Sequence, residues 1–589
     1  MGGVWKTDQL ATVRVDTAAN GTNNDIGSRE PTIIVKVFQD VVARDPTGRA
    51  LSIKKDSECV THTWQQYYNI CQRFAKALIH IGVQPHEAVN ILGPNCPEWL
   101  FANVGSIMAG AVAAGIYPTS KTDACQHISA HCEARVVVMS DKEQLDKYLS
   151  VLDQLPALKA LVVWNEADVP QEAKFRVPVY AFSEFLRLGD NVEPSLLDAR
   201  IAAQQPNHCC ELIYTSGSEV YFADPDALRG SLLGTLQEVR PNFFCGVPRV
   251  WEKMMESLKD KIGGAPEGLK KSLIMWAMEK GTDHTMQTQF GSTQRESFRF
   301  WIADYLLLSK IRHALGLDEC TTFLTGAAAT APSVVHFFGS LNMPLYELYG
   351  LTESTGPHTF SMPNKWKLGS VGLPLEGTRT RIDPDTGEIQ YTGRHVFMGY
   401  LNDEKATNAT LDDDGWLYTG DVGVLDKDGF LSVTGRIKEI IITSGGENIP
   451  PVLIENELKA ELRALSNVVV IGEKRKFLTF LCSLRVEPDP VTAIPTDKLD
   501  KVSLAVAEEI GSNATTVSEA QTCEKFGKYI EEGVARANAK AASRAQHLQK
   551  FCIIPHDFSI DGNELTPTMK LKRSVVEHKY SRKIEQMYA

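Results

Sequence analysis

The sequence predicts an α/β protein: a large N-terminal region of mostly parallel α/β sheets with a small β-rich subdomain, joined by a hinge to a smaller α+β C-terminal domain. Three observations carry this. Short β-type runs alternate with helical stretches through the first half, Gly/Pro/Asp turns punctuate short strands from Gly369 to Val433, and strands mix with helices beyond Gly435-Arg436. With 589 residues, 43% hydrophobic and 23% charged, the chain is long and apolar enough to bury several sizeable cores.

Residues 1–31 are polar and rich in Asn, Gly and Thr without an apolar period, which predicts a disordered tail. From Trp64 the positions Tyr67, Tyr68, Cys71, Phe74, Ala75, Leu78 and Ile79 recur at helical spacing, and Gly82 follows as a stop. The runs Ala88–Leu92, Arg135–Met139, Ala160–Trp164, Val177–Phe182 and Leu212–Tyr214 predict strands of a covered parallel sheet. Leu100–Tyr117 is apolar but Gly- and Ala-rich and short of the roughly 20 apolar residues of a spanning helix, so it predicts a buried helix running into a strand. The boundary falls in Gly435-Arg436-Ile437-Lys438-Glu439, dividing an N-terminal domain at 32–435 from a mobile C-terminal domain at 436–589. A polar helix-favouring stretch from about 495 to 549 is inserted in the latter.

Lys plus Arg number 61 and Asp plus Glu 73, a formal charge of −12, which argues against nucleic acid as a partner because phosphate-backbone binding needs basic surface. Twelve scattered cysteines without a C-x-x-C pair predict reduced thiols and a cytoplasmic setting. The densest metal-like group, Cys125, His127, His131 and Cys132, lies in a helical segment and is set aside. No signal peptide or lipidation signal is legible.

Three glycine-containing turns follow apolar runs, the placement from which α/β proteins present backbone amides to ligands. Taken alone, Thr215-Ser216-Gly217-Ser218 is weak, since such a turn after a strand is more often structural, and Gly326-Ala327 is similarly ambiguous because small residues also serve close packing. Tyr349-Gly350-Leu351-Thr352-Glu353 is sharper, setting an aromatic face, a hydroxyl and a carboxylate side by side; a carboxylate there suits Mg²⁺ near a phosphate, since this hard ion prefers oxygen ligands. Asp421 closes Tyr418-Thr419-Gly420-Asp421, and Arg436 follows about one strand-turn-strand later. An Asp can accept from two sugar hydroxyls, but a lone Gly-Asp is usually a turn.

In this order, with Gly435-Arg436-Ile437-Lys438-Glu439 and a late lysine, the motifs resemble the adenylate-forming superfamily from about residue 32 onward. Gly246-Val247-Pro248-Arg249-Val250-Trp251-Glu252-Lys253, Gly445-Gly446-Glu447-Asn448-Ile449-Pro450-Pro451 and Thr566-Pro567-Thr568-Met569-Lys570-Leu571-Lys572-Arg573 look like long-chain acyl-CoA synthetases of the bubblegum type. The resemblance implies a ligase that uses ATP, Mg²⁺ and CoA to convert a long-chain fatty acid to acyl-AMP and then acyl-CoA. Tyr349 would stack on adenine, Thr352 bond the α-phosphate, Glu353 hold Mg²⁺, and Asp421 with Arg436 grip the ribose. Lys570 would stabilise charge at the α-phosphate, Lys438 would be the hinge, and Gly445 and Gly446 would face the pantetheine arm of CoA. Trp251 is a candidate acyl gate, with a core tryptophan equally open. An apolar substrate points to peripheral association with the endoplasmic reticulum or another internal membrane.

The sequence departs from the family pattern after Ser218. There Glu219-Val220-Tyr221 leads directly to Phe222-Ala223-Asp224-Pro225, where the family carries a longer phosphate loop, a helix and strands. Lost charge-assisted phosphate contacts, at about 1.5–3 kcal/mol each, predict impaired adenylation. Two alternatives stand beside the ligase: a non-catalytic nucleotide- or lipid-binding isoform, and adenylation with delivery to a carrier-protein thiol.

Overall fold

The computed structural model describes residues 5–11, 30–55, 58–118, 120–170, 175–213, 232–263, 268–291, 297–326, 330–489, 494–541, 543–559, 561–565 and 571–589. The predicted amphipathic helix is Trp64–His80. Thr63 caps it, its hydroxyl accepting from Gln66 N at 3.2 Å while Gln66 Oε1 accepts from Thr63 N at 2.9 Å, a box worth about 1 kcal/mol. Its inner face buries Tyr67, Cys71, Phe74 and Leu78 against the first sheet.

A hairpin of β1 (Arg49–Lys55) and β2 (Glu58–Thr63) precedes this helix. The first large sheet has six parallel strands: β3 (Ala88–Leu92), β4 (Val112–Ile116), β5 (Val136–Met139), β6 (Ala160–Val163), β7 (Val179–Ala181) and β8 (Glu211–Ile213), in the order β7-β6-β5-β3-β4-β8. Every residue of β3, β5 and β6 is buried, because helices cover both faces; this is why these strands read as unbroken apolar runs. As predicted, Leu100–Tyr117 is the end of one helix, Pro97–Met108, followed by β4.

A second sheet contains β9 (Phe243–Gly246), β10 (Thr322–Thr325), β11 (Leu345–Leu351), β12 (Gly356–Phe360) and β13 (Leu373–Pro374), ordered β13-β12-β11-β10-β9. The β-rich subdomain is an antiparallel meander of β14 (Thr378–Ile382), β15 (Glu388–Gly393), β16 (Leu417–Leu425) and β17 (Leu431–Arg436). Beyond it come a two-residue ladder of β18 (Ile441–Ile442) and β19 (Asn448–Ile449) and a three-stranded sheet built on Leu465–Ile471, Leu478–Leu484 and Leu548–Ile553. The apolar clusters divide at the same place: those of the C-terminal part begin at Ile441, and those before it end at Val433.

The predicted tail needs one correction. Residues 5–11 are placed against the body of the protein: Ala11 N donates to Asn207 O at 3.2 Å, the Thr7 hydroxyl to His86 O at 3.1 Å, and Asn402 N to Trp5 O at 2.6 Å. Backbone hydrogen bonds to fixed loops order this segment, and such bonds leave no trace in an apolar period. No helix of the described residues is long and apolar enough to cross a membrane.

Candidate active site

The first half of the site is the hairpin β11–β12. A Cβ on Gly350 would stand 2.0 Å from Gly356 O and 2.7 Å from Pro357 Cα, so only glycine lets the two strands close here. Thr352–Ser354 forms the tight turn, fixed by Ser354 Oγ, which accepts from Leu351 N at 3.0 Å and from the Tyr391 hydroxyl at 3.0 Å. Glu353 leaves this turn half-buried and accepts from the Tyr400 hydroxyl through Oε1 at 2.8 Å. Burial, and then Glu353, push the Tyr400 phenol up to about 12, so it serves as a proton donor throughout the neutral range.

The second half is the meander, where Asp421 on β16 lies directly across from Arg436 on β17. Asp421 is buried and its two oxygens are divided: Oδ1 receives Arg436 Nε at 2.9 Å and Oδ2 receives the Tyr349 hydroxyl at 2.8 Å. The Thr419 hydroxyl accepts from Asp421 N at 3.0 Å and donates to Ile389 O at 2.6 Å, which fixes the acid's backbone. Burial, then the Asp421 charge, raise the Tyr349 phenol far above its ordinary value. The two halves meet around Tyr391. Its buried ring stands edge-on to Tyr349 at 6.5 Å, and its phenol is raised first by burial and then by both Asp421 and Glu353. Beneath it His358 stacks on Tyr391 at 3.8 Å, within 2.7 Å of Thr380 Oγ1 and 3.0 Å of His395 Nε2. Burial, then His395, hold His358 down to about 3, so this histidine is neutral packing and not a base.

Tyr349, Gly350, Thr352, Glu353, Asp421 and Arg436 are thus brought together, although nearly 90 residues separate the first from the last. Gly326 is buried at the end of β10, where a Cβ would meet Leu348 Cδ1 at 2.6 Å. Lys438 is exposed on the turn Ile437–Glu439 immediately after β17. Gly445 and Gly446 are exposed between β18 and β19, with Gly446 at φ +79°, a conformation that favours glycine. Thr215, Ser216, Gly217, Ser218, Ala327 and Lys570 lie outside the described residues. Trp251 is fully buried: its indole N–H is shared between Gly246 O and Leu324 O, both at 3.0 Å, and Phe244, Phe323 and Phe338 pack edge-on around it. That is the placement of a satisfied core tryptophan. Sequence reasoning missed Tyr400 and Thr419; only Thr419's position two residues before Asp421 hinted at a role.

The AMP-binding enzyme family matches this chain over residues 38–219 and again over 217–401. The chain belongs to that family. Among curated proteins it is 40% identical over 634 aligned residues to the long-chain-fatty-acid–CoA ligase ACSBG2 of Xenopus laevis, covering 96% of this chain and 85% of that protein. It is 38% identical over 655 aligned residues to the ACSBG2 of Gallus gallus, covering 100% and 84%, and 39% identical to the ACSBG1 of Homo sapiens, covering 95% and 85%. These relatives agree with the bubblegum-type resemblance of its motifs. The adenylation domain of a carboxylate reductase from Mycobacterium chelonae has the same fold, with a TM-score of 0.62 at 15% identity over 98% of this chain and 93% of that one. An adenylation domain of carboxylic acid reductase from Segniliparus rugosus, solved with AMP, superposes with a TM-score of 0.61 at 15% identity, covering 92% and 90%.

Proposed function

We propose that this AMP-binding family protein is an ATP-dependent long-chain fatty acid–CoA ligase whose turnover is limited at the Ser218–Glu219 join. The observation that carries the reading is the arrangement of Tyr349, Asp421 and Arg436 beside the Glu353–Tyr400 pair. A buried carboxylate held between a cation and a phenol is a preformed acceptor for vicinal hydroxyls, and the aromatic ring next to it suits a purine. The curated relatives named above carry the same activity in their names.

The fatty carboxylate attacks the α-phosphorus of ATP, the bond from that phosphorus to the bridging oxygen breaks, and pyrophosphate leaves. The thiol of CoA then adds to the acyl carbonyl, loses its proton, and AMP departs with the electron pair. Thr352 is assigned to the α-phosphate, and Lys570 to charge at the same phosphorus during the first step. Rotation about Lys438 would replace Lys570 by the Gly445-Gly446 loop for the second. Among the described residues no three His, Cys, Asp or Glu side chains gather to cage a metal. Glu353 therefore fits Mg²⁺ only as one ligand of an ion whose other oxygens come from phosphates and water, which is how this cation usually binds at nucleotide sites. Mg²⁺ bound there would neutralise phosphate charge.

Three observations support a missing segment. The two family matches meet at 217–219. The alignment to the Gallus gallus relative spans 655 positions against the 589 residues of this chain, so at least 66 positions are filled only in the relative. On either side of the join, β8 and β9 are the outer strands of their sheets among the described residues and leave Ile213 and Phe243 more than half exposed. Pyrophosphate release and acyl-CoA formation from palmitate, measured for this chain and for one carrying the relatives' intervening segment after Ser218, test the proposal. The expected result is weak or absent turnover that the insertion restores. AMP binding without turnover in both chains would establish the non-catalytic alternative, and absence of AMP binding in both would overturn the nucleotide site itself.

A further inference from the structure

An exposed apolar feature lies apart from the β11–β12 hairpin and the meander, on a pair of helices in the core cluster that contains Trp251. Leu269–Gln287 runs antiparallel to a helix that begins at Phe298 and continues through a π-helical turn, Asp304–Leu308, to Ala314. His284 stacks on Phe300 at 3.8 Å, and Gly281 packs against Leu308. The inward face of the second helix is ordinary core: Phe300, Ala303 and Leu308 are buried. Its outward face is not ordinary. Phe298, Trp301 and Tyr305, at helical spacing, are 73%, 54% and 67% exposed and form a ladder of near-parallel rings, 5.9 Å apart at 14° and 5.8 Å apart at 8°. Leu306 beside Tyr305 is exposed as well, and Leu269 and Leu273 are exposed at the far end of the neighbouring helix.

We propose that this ladder is the surface by which the protein docks on an anionic lipid bilayer. The inference draws on the fatty-acid reading only for the relevance of lipid, and its test needs no turnover. Water-soluble proteins seldom leave contiguous aromatic and aliphatic surface uncovered, and Trp and Tyr are the side chains that settle at the bilayer interface, where a ring is buried and its polar atom stays wet. Prestacked rings lose little freedom on insertion. Charge selects the bilayer over another copy of this acidic chain. The two helices, residues 268–287 and 297–314, contain Lys270, Lys271, Lys280, Arg299, Lys310 and Arg312 against Glu279, Asp283 and Asp304, a formal +3 within a chain of −12, and Glu279 and Asp283 are both paired with Lys280. Asp304 is consumed by Arg312 in a two-pronged ion pair of 2.7 and 3.0 Å, while Arg299 and Lys310 are exposed on the ladder helix itself. Cations flanking an interfacial aromatic face favour anionic headgroups.

Co-sedimentation with phosphatidylcholine–phosphatidylserine vesicles and with pure phosphatidylcholine vesicles, in low and high salt and without ATP or CoA, tests this. The full chain should partition to the mixed vesicles and be released by salt. Phe298→Ser/Trp301→Ser/Tyr305→Ser should lower partitioning about tenfold or more on both surfaces. Arg299→Glu/Lys310→Glu keeps the rings and, should the triple variant not fold, decides alone; it should erase the preference for phosphatidylserine and most of the salt dependence. Wild-type partitioning of either folded variant, or no partitioning of the parent chain, overturns the proposal. So does a vesicle-free dimer in sedimentation velocity that the triple variant dissolves, since the ladder would then join two copies.

Discussion

Asp421→Asn asks whether the preformed acceptor is used by a nucleotide. The change keeps the side chain's shape and burial but removes its charge and turns one oxygen into an NH₂. With Arg436 Nε on one side at 2.9 Å and the Tyr349 hydroxyl on the other at 2.8 Å, one of the two donors must then face another donor. Arg436 is 55% exposed, so its side of the pair is screened and worth at most about 1 kcal/mol. The acceptor's own value toward a bound hydroxyl is that of a hydrogen bond to a charged group, about 1.5–3 kcal/mol, or roughly 10- to 150-fold in a dissociation constant. Calorimetric titration with AMP, run beside urea denaturation to confirm that the variant is folded, should show a loss in that range. A folded variant that binds AMP as tightly as the parent chain would remove Asp421 from the nucleotide site and with it the main support for the ligase reading.

Three further outcomes follow from the same geometry. Tyr400→Phe should leave AMP affinity nearly unchanged but slow pyrophosphate release about tenfold and raise the Mg²⁺ concentration at half-maximal rate, because Glu353 loses the donor that orients it; an unchanged Mg²⁺ dependence counts against the Glu353 assignment. His358, held at about 3 in the folded protein, takes up a proton only in the unfolded chain between pH 3 and 6.5, so its contribution is present near neutrality and is lost as pH falls, by about 2 kcal/mol at pH 5. Burial pushes Glu347 up to about 7, which has the opposite sign, stabilising below its ordinary value and fading as pH rises to 7. The two opposing terms largely offset each other between pH 4.5 and 6.5, so relative to the parent chain the melting temperature should fall with rising pH over that window in His358→Gln and rise with it in Glu347→Gln. Trp251→Ala should cost about 3–5 kcal/mol in urea unfolding, as for any buried aromatic; a small stability loss with a shifted acyl-chain preference would instead favour the gate.

What the sequence made legible was whatever a short window of residues determines. The helix Trp64–His80 carried its own period and its own stop, and the fully buried strands β3, β5 and β6 needed no partner to be recognised as apolar runs. Asp421 and Arg436 stood a strand-turn-strand apart, and a hairpin makes cross-strand neighbours of residues so spaced. Long-range choices were not legible. Tyr400 reaches Glu353 across 47 residues, and nothing in Gly399-Tyr400 announces that partner. The β1–β2 hairpin was missed because its apolar alternation is brief, only Leu51 and Ile53 on one strand and Val60 opposite Ile53 on the other, while the opposite face is polar, with Ser52 on Thr61 at 2.9 Å. The four-residue strands β9 and β10 are too short to carry a period, so the second sheet showed only through the motifs at its strand ends.

The site's position along the chain separates binding from turnover. The residues proposed to contact ribose and adenine lie wholly within residues 349–436, on a hairpin and a meander whose hydrogen bonds close among themselves. The join lies more than a hundred residues earlier, between the outer strands of two sheets, where the resemblance places the cradle of the outer phosphates. On the proposed reading, a segment missing there would take away contacts to the part of ATP that departs as pyrophosphate and leave those to the AMP moiety in place. Inserting the relatives' segment should therefore raise the rate of pyrophosphate release by at least about a hundredfold, the worth of one or two charge-assisted phosphate contacts, while the AMP dissociation constant stays within about threefold, the scatter expected for distant and independent sites. Calorimetry with AMP and a pyrophosphate assay on both chains measure the two quantities separately. If AMP affinity instead rises in step with the rate, the segment is buttressing the whole N-terminal region, and the outer strands β8 and β9 are the cause to pursue.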